Sequence, residues 1–150
     1  MANPVCEVLL SGTRLVPPPD DYPAETGAVV DFLGVVRGME EGAEISGIDY
    51  EAHRQMTEHQ LRAVANEAAT MFQLKQITIW HRLGYVQAGE ASLFVRVGSS
   101  HRAEAFRAAG WIVDELKKRA PIWKHPRIRP PETSGRDALH AGESTPTIAS

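Results

Sequence analysis

The chain has one cysteine, Cys6, in 150 residues. An internal disulfide framework is therefore excluded, and a zinc site built on several thiolates with it. Cys6 lies in an apolar run and reads as a small buried hydrophobe. No stretch reaches the roughly 18 uninterrupted apolar residues of a membrane span, and the start of the chain lacks a basic region followed by an apolar run. A soluble, cytoplasmic protein without a membrane partner is expected. Charge of one sign is also missing: 16 basic and 19 acidic residues leave a net −3, which gives no global attraction to nucleic acid. The six histidines form neither an HExxH pattern nor a close pair at helical ligand spacing, so no metal is expected. Nor is there a GxSxG elbow, a phosphate-binding glycine loop or a dinucleotide fingerprint.

What is present, 43% hydrophobic and 23% charged residues over this length, suits one domain with a real core. Val5 to Leu10 reads as a strand, ended by the cluster Pro17 to Asp21. Gly27 to Gly38, rich in Val and bounded by glycines, predicts a buried strand carrying Arg37 at its end, with a charged turn from Gly38 to Gly42. The imperfect alternation of Ile45 to Ala52 predicts a strand paired with its predecessor. Between about Gln55 and Phe72, Leu61, Val64, Ala65, Ala68, Met71 and Phe72 fall at the three-and-four spacing of an amphipathic helix. Gln76 to Leu83 and Ala91 to Ser99 read as strands joined by a turn-rich segment, Gly84 to Glu90. A second helix begins near His101, has Phe106, Ala109, Ile112, Val113 and Leu116 as its apolar face, and must stop before Pro121. Ile122 to Lys124 then extends. The order implies an α+β class: two long helices against a mostly antiparallel sheet. Residues 1–126 are expected to form a single domain. The segment 127–150, rich in Pro, Gly, Ser, Thr and charge, is expected to be a mobile tail.

Cations gather at the ends of elements: Arg37, His101, Arg102, Lys117 and Lys124. Ser99-Ser100-His101-Arg102 resembles a helix start whose free N–H groups attract a phosphate, although similar sequences cap many inert helices. Lys117 flanks the apolar face beside Leu116, where a desolvated amine would be a nucleophile or proton carrier and an exposed one a solvated charge. His81 reads as a satisfied structural histidine, and Tyr50-Glu51 as a sheet edge or subunit contact. These residues alone indicate a site for a phosphorylated or carboxylated small molecule without naming a reaction.

Three segments together are more specific: FLGVVRG followed by DYEAHRQM (Phe32 to Met56), HRLGYVQAGE (His81 to Glu90), and SSHRAEAF with LKKRAPIWK (Ser99 to Lys124). In order and spacing they resemble the large, catalytic subunit of molybdopterin synthase, over about Gly27 to Lys124. The resemblance implies an α/β hammerhead-like fold with an additional small β subdomain, and conversion of cyclic pyranopterin monophosphate to molybdopterin. Two sulfurs would come from the thiocarboxylated C-terminus of a small ubiquitin-like subunit. It implies no metal or redox cofactor, and a homodimer of large subunits within a heterotetramer. By motif, Lys117 is the leading catalytic candidate, with Lys124 contacting substrate or thiocarboxylate. Arg37 and Phe32 belong to the substrate pocket, and His101 with Arg102 reaches the substrate's anionic part across the dimer.

The chain departs from that pattern after Lys124, where His125-Pro126 and a Pro/Arg-rich tail replace a basic residue, a glutamate and a Trp-containing ending. No role follows for Arg136. The segment before Gly27 is also short for the family's early helix. Two rival readings remain beside the enzyme: a non-catalytic paralogue that binds the small subunit or a pterin phosphate, and a generic phosphate-ligand module.

Overall fold

The computed structural model describes residues 4–130, together with the backbone of Thr147–Ile148. Strands β1 (Val5–Ser11), β2 (Ala28–Val35), β5 (Gln76–Arg82) and β7 (Ala91–Ser99) form one sheet in the order β1-β5-β7-β2. Only β1 and β5 run parallel; β5 with β7 and β7 with β2 are antiparallel. Helices α1 (Arg54–Phe72) and α2 (Arg102–Arg119) cover one face of this sheet. The alternation in β7 shows how: Val95 and Val97 join the helix-side core with Leu61, Val64, Ile77, Ile79 and Ile112. Phe94 and Arg96 take the opposite face, where Arg96 reaches back across the sheet to the proline-rich segment.

The second sheet is the smaller β unit. Strand β4 (Ala43–Ala52) pairs along one edge with β8 (Ile122–Ile128), and along the other with β3 (Met39–Glu40) and β6 (Gly84–Gln87). It has its own core of Val36, Ile45, Ile48, Tyr50, Val86, Ala120 and Ile122. Gly84 and Gly89 bracket β6 at φ of +86° and +92°, in the left-handed region where glycine costs least. Arg82 and Glu90 close the same segment by an ion pair at 3.3 Å, a physical reason for the spacing of HRLGYVQAGE. Backbone residues Thr147–Ile148 form β9 on the outer edge of β8.

Both helices begin and end within two residues of expectation, and the α+β class with a mostly antiparallel sheet stands. Four expectations need correction, and Phe106, expected on the apolar face of α2, is 66% exposed. The run in β2 is not a buried strand: β2 is a sheet edge, and Phe32, Leu33 and Val35 remain 37%, 45% and 51% exposed. Strand β4 does not pair with β2, because β7 takes that place while β4 builds the second sheet. The segment after Leu83 is not merely turn, since β6 adds to β4. The expected tail begins later than residue 127 as far as it is described, because Arg127 and Ile128 belong to β8. Residues 131–146 and 149–150 of it lie outside the described residues.

Two buried polar groups are satisfied within the first sheet. Arg96 is 2% exposed and donates through Nε and Nη2 to both oxygens of Asp31, its cross-strand neighbour, at 2.7 and 2.8 Å, and through Nη1 to the carbonyl of Pro19 at 3.0 Å. His81, at the end of β5, is 8% exposed. A carbonyl only accepts, so the 2.8 Å bond to the backbone oxygen of Arg82 fixes the proton on Nδ1. Burial lowers the imidazole pKa to about 4, against the raising effect of the Arg82 bond and with a lesser lowering by Lys124. His81 is therefore neutral at pH 7.

Replacing Asp31 with Ala leaves the buried guanidinium without its carboxylate. The expected loss is about 2 kcal/mol in urea unfolding, below that of a fully buried pair because Asp31 is one-third exposed. His81 yields a pH dependence. Between the unfolded value of 6.5 and about 4, the unfolded chain binds the extra proton, so its contribution is complete above pH 6.5 and is lost as pH falls toward 4. Roughly 3 kcal/mol is at stake. His81→Asn, which keeps a donor for the Arg82 carbonyl, is expected to flatten the acid limb of the stability profile between pH 6.5 and 4; an unchanged slope contradicts the assignment.

Candidate functional site

The two sheets and the end of α2 meet around a cleft of about 210 Å³. Its position follows from how the chain leaves α2. Pro121 cannot extend the helix, and Ala120 takes extended geometry at φ −81°, ψ 121° while its N–H still reaches the carbonyl of Leu116 at 3.0 Å. The chain turns directly into β8, so Lys117 before the turn and Lys124 after it line one cleft. The buried Thr57 of α1 fastens the turn, its hydroxyl donating to the Pro121 carbonyl at 3.2 Å. Arg119 holds the last turn of α2 to α1 through both oxygens of Glu67, at 3.1 and 2.7 Å.

The floor is apolar with a polar inset. Leu61, Ile48, Leu116 and Ile122 are buried there, and among them stand Tyr50, His81 and Ser92. The Tyr50 and His81 rings meet edge to face with centroids 5.1 Å apart. Burial pushes the Tyr50 hydroxyl above its usual pKa, opposed by a bond to Ser92. The rim is cationic: Arg37, just beyond β2, and Lys117 are exposed, and Lys124 is half-buried near Glu40 of β3, with Nζ to Oε1 3.9 Å. Phe32 completes the wall from the exposed edge strand. Such a site suits a flat, partly apolar ligand with anionic groups at its margin. No group of three or more His, Cys, Asp or Glu side chains able to hold a metal occurs among the described residues.

Of the six residues singled out by sequence, Phe32, Arg37, Lys117 and Lys124 share this cleft. His101 and Arg102 do not. They begin α2, and 15 residues at 1.5 Å rise put Arg102 about 22 Å from Lys117 along the axis. His101 makes no side-chain cap bond, its own N–H bonding the Ser99 hydroxyl at 3.3 Å. His81 is satisfied through Nδ1, as a structural histidine should be, yet it also lines the cleft. Tyr50 is corrected: it is buried in the floor, 5% exposed, and not a sheet edge. Its spacing two residues after Ile48 was the available signal. Glu40 and Ser92 carried none, because only the hairpin and the β2–β7 pairing bring them here. The replaced segment after Lys124 is a paired strand, with His125 to Glu51 at 3.3 Å and Arg127 to Asp49 at 3.0 Å across β4.

A sequence model of the family described as MoaE protein matches residues 15–119. The chain is similar to the molybdopterin synthase catalytic subunit of Pyrococcus abyssi, 40% identical over 124 residues, covering 76% of this chain and 84% of that one. It spans about half the length of longer relatives of the same description, 51% for rice and 52% for human. Among solved structures, molybdopterin synthase from Staphylococcus aureus superposes with a TM-score of 0.71 at 26% identity, over 83% of this chain and 92% of that one. A chain from the complex of subunits 1 and 2 of molybdopterin-converting factor from Helicobacter pylori shares the fold, with a TM-score of 0.60 at 22% identity over 77% and 76%. No helix among the described residues is long and apolar enough to cross a membrane. With the match covering most of the chain and the cleft assembled from its motifs, the chain belongs to the MoaE family of molybdopterin synthase catalytic subunits.

Proposed function

We propose that this chain is a sulfurtransferase that converts cyclic pyranopterin monophosphate to molybdopterin, with sulfur supplied by the thiocarboxylated C-terminus of a small ubiquitin-like subunit, in the cytoplasm. The observation that carries the reading is the convergence of Lys117, Lys124 and Arg37 on one cleft with an apolar floor. The floor suits a pterin ring, and the cationic rim suits a phosphate and a carboxy-terminal anion. Lys117, free of any ion-pair partner among the described residues, assists sulfur attack by proton transfer or by stabilising the charge that develops. Lys124 receives the thiocarboxylate. Arg37 and Phe32 hold the substrate. No metal or redox cofactor enters this reaction.

The separation of His101 and Arg102 from the cleft supports a composite site, in which the pair serves the cleft of a second copy. The exposed apolar edge formed by Phe32, Leu33 and Val35 supports such a homodimer, because a partner chain would remove it from water. A small subunit at each end makes the heterotetramer.

The deciding assay is anaerobic single turnover with thiocarboxylated small subunit and cyclic pyranopterin monophosphate, the product being oxidised to its fluorescent derivative. Native protein is expected to form product. Lys117→Ala is expected to lose it by at least about a hundredfold while remaining dimeric; near-normal turnover overturns the role of Lys117. Stable binding of the small subunit without product favours a non-catalytic paralogue. Mixing Lys117→Ala with His101→Ala chains is expected to restore one intact site per mixed dimer. Failure to recover activity despite subunit exchange argues against sharing across the dimer.

A further inference from the structure

The cleft holds one carboxylate among its cations. Glu40 lines it together with Arg37, Lys117 and Lys124, and of these three only Lys124 has an ion-pair partner among the described residues. That partner is Glu40, and both side chains are largely withdrawn from water, at 23% and 18% exposure. Glu40 arrives on a hairpin with little else to do. Strand β3 is two residues long, Met39 is 49% exposed, and no other residue of 38–44 reaches the cleft. The turn is held tight by Glu41 and Gly42 at φ of 49° and 81°, and by the pairing of Glu40 with Ala43.

A carboxylate here opposes the entry of any anion, yet its hold on Lys124 is loose. The 3.9 Å separation exceeds the roughly 2.7–2.9 Å of a charge-assisted hydrogen bond, so a closer anion can replace it. We propose that Glu40 is a positioning residue that holds Lys124 in the empty cleft and is exchanged for the carboxy-terminal anion of the sulfur carrier; this rests on the sulfur-transfer reading above. The pair keeps the half-buried ammonium neutralised while the cleft is vacant. It also makes entry selective, since a neutral chain end offers Lys124 nothing in return for Glu40.

The test is calorimetric titration at low salt with the small subunit in its unactivated form, ending in a Gly-Gly carboxylate. Glu40→Gln removes the competing charge and is expected to bind about fivefold more tightly, a size set by a partly screened pair. Glu40→Asp is expected to stay close to the native affinity. Glu41→Gln removes the same charge one residue away and is expected to shift it by less than about twofold. In single turnover, Glu40→Gln should lower the carrier concentration for half-saturation. A merely structural role for Glu40 would lower Tm without tightening binding. Unchanged affinity in Glu40→Gln, with native binding and turnover intact, overturns the exchange and leaves the sulfur-transfer reading standing. Equal tightening in Glu41→Gln overturns it as well, as an effect of net charge. If the native chain neither binds the small subunit nor turns over, the functional reading itself fails and takes the exchange with it.

Discussion

The site depends on the connection from α2 into β8. Pro121 forbids another helical turn, Ala120 is extended, and the strand begins at once. Because that turn is short and tied to α1 by the Thr57 hydroxyl, the backbone holds Lys117 and Lys124, seven residues apart, at the edge of one cleft. The same turn contributes Ala120 and Ile122 to the core of the smaller sheet, while Leu116 stays in the core under the helices. The junction between the two cores is therefore also the wall of the cleft. A change that loosened it would disturb packing and chemistry together.

Electrostatics divides the cleft into layers. Depth keeps His81 neutral and Tyr50 protonated, so the floor carries hydrogen-bonding groups without charge. The rim carries charge in three cations and a single carboxylate. A cationic margin around an uncharged floor attracts anions at the rim and leaves the floor to neutral contacts. The division comes from burial, since Arg37 and Lys117 keep the water that the floor residues have lost, and the more buried Lys124 has Glu40 beside it.

The edge strand β2 links fold to assembly. Its apolar sequence is that of a strand covered on both faces, yet one chain covers only part of it. The mismatch between sequence and exposure is what a subunit interface produces when one protomer stands alone. The start of α2 lies about 22 Å from Lys117 along the helix axis, so within one chain His101 and Arg102 stand outside the cleft.

Periodicity and punctuation were enough for the helices and for β1, β5 and β7, because helical stripes, Pro121 and the proline cluster act locally. The motifs around Arg37, Lys117 and Lys124 likewise marked the cleft's cations before any geometry was known. Pairing partners were a different matter: β4 alternates in the same way whether its neighbour is β2 or β8, and nothing local distinguishes them. Glu40, Tyr50, His81 and Ser92 became cleft residues only through those long-range pairings, as did the exposure of β2. The sequence by itself determined the two helices, the longer strands and which cations stand at element ends, but not the short strands β3 and β6. The tertiary structure decided which of them face each other, because strand register and edge position depend on contacts between residues far apart in the chain.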